Sequence, residues 1–157
     1  MKKLIPSIFA ILFVIVSASN ANAQLYQRAI GLRLGHNSGV TFKTKVAEKH
    51  AIEILLNLPV WNNDKSFFLT GLYEVHADIN TINNLKWYYG AGGSLGSRKH
   101  NGDAGALLAA IDGVIGLDYT FEKEPINIAL DWKPALELAP NGRFNFQGFG
   151  ISVRYTF

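Results

Sequence analysis

The sequence predicts an all-β protein, an eight-stranded antiparallel up-and-down barrel that crosses a membrane. Three observations lead to this prediction. Apolar and polar residues alternate in eight segments, one alternation class of every segment carries no charge, and the chain ends on an aromatic residue, Phe157. Alternation with a period of two is typical of strands with two different faces. A membrane barrel turns its apolar face toward lipid and its polar face toward the lumen.

The first 23 residues are predicted to be a secretory signal peptide. Two lysines precede an apolar run over residues 4–16, and a stretch of small residues ends at Ala23. This order is typical of a cleaved export signal. The run is shorter than the roughly 20 residues that a membrane-spanning helix needs, so a membrane anchor is the weaker alternative. We therefore predict a single barrel domain over residues 24–157.

The composition argues against a disulfide-stabilised domain and against a nucleic-acid-binding protein. The chain has no cysteine, so an exported domain of this kind gains no disulfide. The whole chain has a formal net charge of +3, and removing residues 1–23, with two lysines and no acid, leaves a net charge of +1. No cluster of basic residues suggests nucleic acid as a partner.

The predicted strands follow one another without a helix or a domain linker. Short segments rich in Asn, Gly, Pro and charged residues separate them, as is typical of hairpins and loops. Pro134 is the main irregularity, because proline cannot donate to a ladder of hydrogen bonds, and we expect a bulge or a position near the rim there. The strands cover residues 27–35, 39–47, 50–58, 67–79, 85–96, 107–121, 126–138 and 144–157.

One alternation class of each strand is apolar and forms the predicted lipid-facing surface. An outward charge at the middle of the bilayer would cost about 2–4 kcal/mol, which explains why none occurs. A soluble barrel with its apolar face inward is the alternative, but aromatic residues near the strand ends favour a membrane. Two such rows are Ile52, Ile54, Leu56 and Leu58, and Ile151, Val153, Tyr155 and Phe157.

The other alternation class holds seven acids, six bases and His76, interleaved with glycines and hydroxyl residues. An eight-stranded barrel is only wide enough for its own side chains. Nearly balanced charges should therefore pair and plug the lumen, whereas a selective channel would show an excess of one sign. The predicted ionic network of the lumen consists of Arg33, Lys43, Lys45, Glu53, Glu74, His76, Asp78, Lys86, Asp112, Asp118, Asp131, Lys133, Glu137 and Arg154.

One row in this class has the residue types of a metal site. Glu74, His76 and Asp78 lie at every second position and share the lumen face. Carboxylates and an imidazole are metal ligands, but a second strand would have to complete the site. Salt bridges are the favoured interpretation, with Lys86, Lys43 or Arg33 as partners.

Other residues have the types needed for catalysis or lipid contact, without a motif that places them together. A hydrolytic triad needs a nucleophile beside a histidine that a carboxylate orients. The polar loop 97–106 could contact anionic lipopolysaccharide, although a solvated loop is the simpler interpretation. We predict no catalytic residue, no cofactor and no metal. The residues considered are Ser94, His76 and Asp112 on strands, and His36, Ser38, His100 and Asp103 in loops.

The last strand resembles the C-terminal signal of bacterial outer-membrane barrels, in which the assembly machinery recognises a strand that ends on an aromatic residue. The resemblance covers Ile151 to Phe157, with Val153, Tyr155 and Phe157 in the apolar alternation class. It implies the barrel assembly machinery as a partner. Tyr119 and Phe121 are predicted to join the same aromatic rim.

Much of residues 24–157 resembles a group of small exported barrels without an assigned function. The implied fold is the eight-stranded OmpA-transmembrane or OmpX type, a monomer in the outer membrane of a Gram-negative cell with both termini periplasmic. That group has no established chemistry, so no catalytic residue is implied. The resembling stretches are "AIGLRLG" (29–35), "LTGLYEVH" (69–76), "LKWYYGAGG" (85–93), "IDGVIGLDYTF" (111–121) and "PINIALDWKPAL" (125–136).

The expected function is non-enzymatic, either structural or a surface interaction, with outer-membrane lipid as the surrounding partner. A narrow porin-like conduit for small solutes is the first alternative. The second is an outer-membrane enzyme that modifies lipid.

Overall fold

The computed structural model describes residues 27–57, 65–99, 106–139 and 142–157. The predicted signal peptide lies outside the described residues, as do His100 and Asp103. Among the described residues, no helix is long and apolar enough to cross a membrane.

The described strands form one antiparallel sheet that closes on itself. They are β1 (Arg28–Gly35), β2 (Gly39–Ala47), β3 (His50–Asn57), β4 (Lys65–Asp78), β5 (Leu85–Lys99), β6 (Ala106–Thr120), β7 (Ile126–Trp132), β8 (Ala135–Ala139), β9 (Arg143–Asn145) and β10 (Phe149–Thr156). Strands β1 and β10 pair with each other, and the pairing of β5 with β6 completes the ring. Strands β7 and β8 both pair with β6, and β9 and β10 follow them, so each of these two pairs forms one interrupted barrel strand. The eight-stranded antiparallel barrel predicted from the sequence is therefore confirmed.

The two ends of the barrel differ in their connections. The terminus end holds the C-terminal residue and the start of β1, together with three short turns after β2, β4 and β6. The first of these turns has only two residues, Glu48 and Lys49. In the second, Asn84 has a φ of 62°, a left-handed conformation that asparagine tolerates better than most residues. The opposite end, called the loop end, holds the connection between β1 and β2.

Two predicted strands are interrupted, so their continuous bounds of 126–138 and 144–157 are wrong. The first break lies between β7 and β8 at Lys133 and Pro134. Proline has no N–H for the ladder, but its carbonyl still accepts a hydrogen bond from Gly113 N at 2.9 Å. The break therefore lets Pro134 remain in the wall with its carbonyl, the backbone hydrogen-bonding group that proline retains, paired.

The second break lies beside the first one. Residues 146–148 separate β9 from β10, and Lys133 N donates to Gly148 O at 3.1 Å across the two breaks. The indole Nε1 of Trp132 also donates to Phe146 O at 2.8 Å. The irregular backbone is thus hydrogen-bonded to itself, as buried or lipid-facing backbone must be.

The two alternation classes lie on opposite faces, as the sequence predicts. Large apolar side chains such as Leu32, Leu95 and Ile151 are half or more exposed on the outside of the barrel. Charged side chains such as Lys43 and Arg154 are at most 1% exposed on the inside. A sheet with charges inside and leucines outside is stable in lipid and would be unstable in water.

Candidate functional site inside the barrel

The centre of the lumen contains five charged side chains that contact one another. We call Lys43, Glu53, Glu74, Asp118 and Arg154 the central cluster. The Nζ of Lys43 lies 2.8 Å from Glu74 Oε2, 3.5 Å from Glu53 Oε2 and 3.5 Å from Asp118 Oδ2. One ammonium therefore neutralises parts of three carboxylates that come from three strands.

Arg154 binds the same carboxylates from the other side of the lumen. Its Nη2 donates to Glu53 Oε1 at 2.5 Å, and its Nη1 lies 4.0 Å from Asp118 Oδ2. Its remaining donors bind neutral side chains, with Nε 3.1 Å from Thr41 Oγ1 and Nη1 3.0 Å from Asn127 Oδ1. A guanidinium has five N–H donors in a fixed plane, and here it joins β10 to β2, β3 and β7.

Neutral side chains donate further hydrogen bonds to the carboxylates of the central cluster. Thr41 Oγ1 donates to Glu53 Oε1 at 2.5 Å, and Asn127 Nδ2 donates to Asp118 Oδ1 at 2.5 Å. The Nε2 of His76 lies 3.1 Å from Glu74 Oε2, a hydrogen bond that needs a proton on one of the two groups. Three carboxylates face two cations here, so the central cluster has one excess negative charge before that proton is counted.

Tyr88 connects the central cluster to a second ion pair. The centroid of its ring lies 4.3 Å from the Nζ of Lys43 and 5.1 Å from the ring centroid of His76. Its hydroxyl donates to Asp131 Oδ2 at 3.1 Å, and the same carboxylate pairs with Arg33. Gly116 provides the space, because a Cβ at that position would lie 2.8 Å from the Tyr88 ring.

A separate polar group lies nearer the loop end. We call Thr70, Ser94, Asp112 and Lys133 the outer group. Lys133 Nζ lies 2.6 Å from Asp112 Oδ1, and Ser94 Oγ donates to Asp112 Oδ2 at 2.5 Å. The hydroxyls of Thr70 and Ser94 are 2.6 Å apart. All four residues are at most 3% exposed.

An apolar layer separates the two polar groups, and sequence reasoning missed it. Leu55, Leu72 and Val114 point inward and are 2%, 2% and 6% exposed. Leu72 lies between Thr70 and Glu74 along β4, and Val114 lies between Asp112 and Asp118 along β6. The sequence does contain these apolar residues in the inward alternation class, but they were overlooked because a strand that is apolar on both faces loses its alternation locally.

The remaining residues of the predicted network lie away from the centre. Asp78 is at the terminus end, where its carboxylate is 59% exposed and lies 2.9 Å from Lys86 Nζ. Lys45 is half-buried, and Glu137 is buried toward the loop end. The structure therefore brings most of the fourteen predicted residues into contact and leaves Asp78 and Lys86 as a rim pair.

Within the part of the chain that the structure describes, neither the hydrolytic triad nor the metal site considered from the sequence is assembled. Ser94 bonds directly to Asp112, whereas His76 contacts Glu74 and Tyr88 instead of Ser94. Among the described residues, no group of three or more His, Asp or Glu side chains is placed to hold a metal ion. The hydroxyl of Ser38 is occupied by the backbone of Gly35.

Aromatic side chains line the outer surface at both ends. At the terminus end Tyr119 and Phe121 have ring centroids 5.0 Å apart, and Tyr155 and Phe157 have centroids 6.4 Å apart. A second set, which sequence reasoning did not single out, lies beside the strand breaks. It consists of Trp132, Phe144, Phe146 and Phe149.

A closed antiparallel barrel with eight strands, an apolar outer surface and a charged interior defines the class of transmembrane β-barrels. Comparison with solved structures finds the crystal structure of Neisserial surface protein A, with a TM-score of 0.50. The two chains share 14% identity over 83% of this chain and 93% of the other, so the similarity shows the fold alone. No protein-family model matches the sequence, and no curated protein matches it either.

Proposed function

We propose that this chain is an integral outer-membrane barrel whose lumen is closed by its own side chains. In this proposal it has no enzymatic activity and acts as a structural element or as a surface for interaction. The proposal rests mainly on the order of three groups of side chains along the lumen, which are the central cluster, the apolar layer and the outer group.

The central cluster supports closure because its contacts cross the lumen. Arg154 on β10 reaches Glu53 on β3, and Lys43 on β2 reaches Asp118 on β6. Moving either cation aside to admit an ion would leave buried carboxylates unpaired. Breaking a buried pair in this way costs about 3–5 kcal/mol.

The apolar layer adds a second barrier of a different kind. Leu55, Leu72 and Val114 offer no hydrogen-bond partner to a hydrated ion, and apolar constrictions in pores exclude water. An ion that passed the outer group would therefore have to shed its hydration without compensation. The two barriers act in series, which disfavours the conduit alternative.

The charge inventory agrees with a closed lumen. Among the described residues six buried acids face four buried bases, and the half-buried Lys45 and Lys86 bring the number of bases to six. A cation- or anion-selective pore would show an excess of one sign.

We further propose that the chain is exported by a signal peptide cleaved before Gln24 and is inserted as a monomer with the terminus end in the periplasm. The barrel assembly machinery would recognise the last strand through Phe157. Deleting Phe157 should lower the amount of protein in the outer membrane of cells, while the purified variant still folds in detergent. Unchanged abundance in the outer membrane would contradict the recognition role.

Planar-bilayer recording of the purified barrel tests closure. We expect no steady current from the wild-type protein at any polarity. Heat-modifiable migration in gels and resistance to protease establish, in the same samples, that the barrel has folded and inserted. A reproducible open level in samples that pass both checks would overturn the closed lumen and favour a conduit.

A further inference from the structure

The carboxyl groups of Glu53 and Glu74 lie next to each other in the centre of the lumen. Ala51 on β3 pairs with Glu74 on β4, and Glu53 lies two positions after Ala51 on the same face, so the two glutamates are diagonal neighbours. Their side chains are within hydrogen-bonding distance of each other. Both residues are at most 2% exposed. Two buried carboxylates in such a contact repel each other unless one of them is protonated.

The two glutamates differ in how many of their oxygens receive a hydrogen bond. Both oxygens of Glu53 have a cationic partner, with Oε1 2.5 Å from Arg154 Nη2 and Oε2 3.5 Å from Lys43 Nζ. Oε2 of Glu74 lies 2.8 Å from Lys43 Nζ and 3.1 Å from His76 Nε2. Oε1 of Glu74 is buried and has no donor among the described residues. An ionised carboxylate can only accept, whereas a protonated one can donate, so a proton on Glu74 would turn its contact with Glu53 into a hydrogen bond.

The charge of the central cluster also favours one bound proton. Three carboxylates face two cations there, and an unpaired charge buried away from water is costly. His76 does not change this count, because its neutral ring can donate an Nε2–H to Glu74. Of the two further cations near His76, Lys86 pairs with Asp78, and Lys45 is half-buried toward the terminus end. The titratable and charged side chains around Glu74 and His76 are Lys43 and Lys45 on β2, Glu53 on β3, Asp78 on β4, Tyr88 and Lys86 on β5, Asp118 on β6 and Arg154 on β10.

We propose that Glu53 and Glu74 share one proton at neutral pH, with Glu74 as the neutral acid that donates to Glu53. Glu74 holds the proton because Glu53 is bound by the guanidinium of Arg154, and a charge-assisted hydrogen bond of this kind favours the ionised acid. The central cluster is then neutral. At alkaline pH the proton passes to water, the two carboxylates repel each other, and the centre of the barrel becomes less stable. The protein thus contains a pH-sensitive element in its interior.

Infrared spectroscopy of the full barrel in a detergent without ester groups tests this proposal. A protonated carboxyl group has a carbonyl stretching band above the amide I region, and we expect the wild-type protein to show this band at neutral pH and to lose it at alkaline pH. Glu74→Gln should lose the band, because glutamine keeps the shape of the neutral acid but has no carboxyl group. Absence of the band from the wild type, or an undiminished band in Glu74→Gln, would overturn the proposal.

Two further variants test whether the proton is shared. Asp112→Asn is the matched control, because both oxygens of Asp112 already have partners, Lys133 and Ser94, and its band should equal that of the wild type. Glu53→Gln leaves two carboxylates for two cations, so we expect Glu74 to ionise and the band to disappear. A band of full intensity in Glu53→Gln would overturn the sharing. Heat-modifiable migration in gels establishes that each variant has folded.

The pH dependence of unfolding gives an independent measurement. In the unfolded chain Glu74 is ionised at neutral pH, so the folded wild type binds one proton more than the unfolded chain does. Its unfolding equilibrium constant should therefore rise about tenfold per pH unit relative to that of Glu74→Gln, until the proton leaves the folded protein at alkaline pH. Urea-induced unfolding from lipid vesicles at several pH values checks this ratio. A ratio that does not change with pH would overturn the proposal, whereas the closed lumen would be unaffected by that result.

Discussion

The central cluster and the outer group are built from the same residue types but differ in connectivity. In the central cluster Lys43 and Arg154 each contact several carboxylates, and those carboxylates are shared between them. In the outer group Lys133 pairs with one acid among the described residues, Asp112, which also accepts from Ser94. Removing one charge should therefore disturb the whole central cluster but only one pair in the outer group.

The largest effect is expected from Arg154→Met. The substitution keeps an unbranched apolar chain, two bonds shorter than that of arginine, and removes four contacts, so that Glu53 and Asp118 each lose one of their two cations. Loss of one partner of a buried charge costs about 3–5 kcal/mol. Urea-induced unfolding from lipid vesicles should show this loss as a lower midpoint with an unchanged slope. Arg154→Lys is the control, and it should recover part of the stability because it keeps the charge.

A smaller effect is expected from Lys133→Met. Asp112 then loses its ion pair but keeps the hydrogen bond from Ser94, and the break beside Pro134 gives the wall some freedom to adjust. We expect a loss of about 1–3 kcal/mol, in the range for one unsatisfied buried group. The same unfolding measurement checks this value. A loss as large as that of Arg154→Met would show that the outer group depends on more contacts than the structure contains.

The smallest effect is expected from Lys86→Gln at the terminus end. Its partner Asp78 is largely exposed, and exposed pairs contribute about 0–1 kcal/mol. Raising the salt concentration should remove most of the difference between this variant and the wild type, while leaving the Arg154→Met difference in place. A salt-independent loss would indicate that the rim pair is shielded from water.

Much of this arrangement follows from alternation alone, and the reason is physical. In lipid every outward charge is penalised, so the inward class can be read from the sequence, and Lys43 and Arg154 are placed in the lumen without a structure. Choosing partners is harder, because contacts across the lumen depend on the stagger of the strands. From the sequence, three cations were candidate partners for Glu74 and Asp78. In the closed barrel Lys43 pairs with Glu74, and Lys86 pairs with Asp78.

Two features could not be predicted because they violate alternation locally. The inward Leu55, Leu72 and Val114 read as ordinary apolar residues within apolar strands, so the apolar layer was hidden. The breaks near Pro134 and Gly148 depend on hydrogen bonds between two segments that are adjacent only in the closed barrel. Pro134 indicated an irregularity in the strand predicted over residues 126–138, but no residue type indicated the break in the strand predicted over residues 144–157.

A double-mutant cycle between Arg154 and Glu53 tests most directly whether the centre of the lumen is one connected unit. The cycle combines Arg154→Met with Glu53→Gln and compares the sum of the single losses of unfolding free energy with the loss in the double variant. We expect a coupling of at least about 1.5 kcal/mol, because each substitution removes the other's partner. The cycle of Arg154→Met with Lys133→Met should be additive within about 0.5 kcal/mol, since the apolar layer separates the two groups. Additivity between Arg154 and Glu53 would contradict a connected centre and, with it, the ionic closure of the barrel.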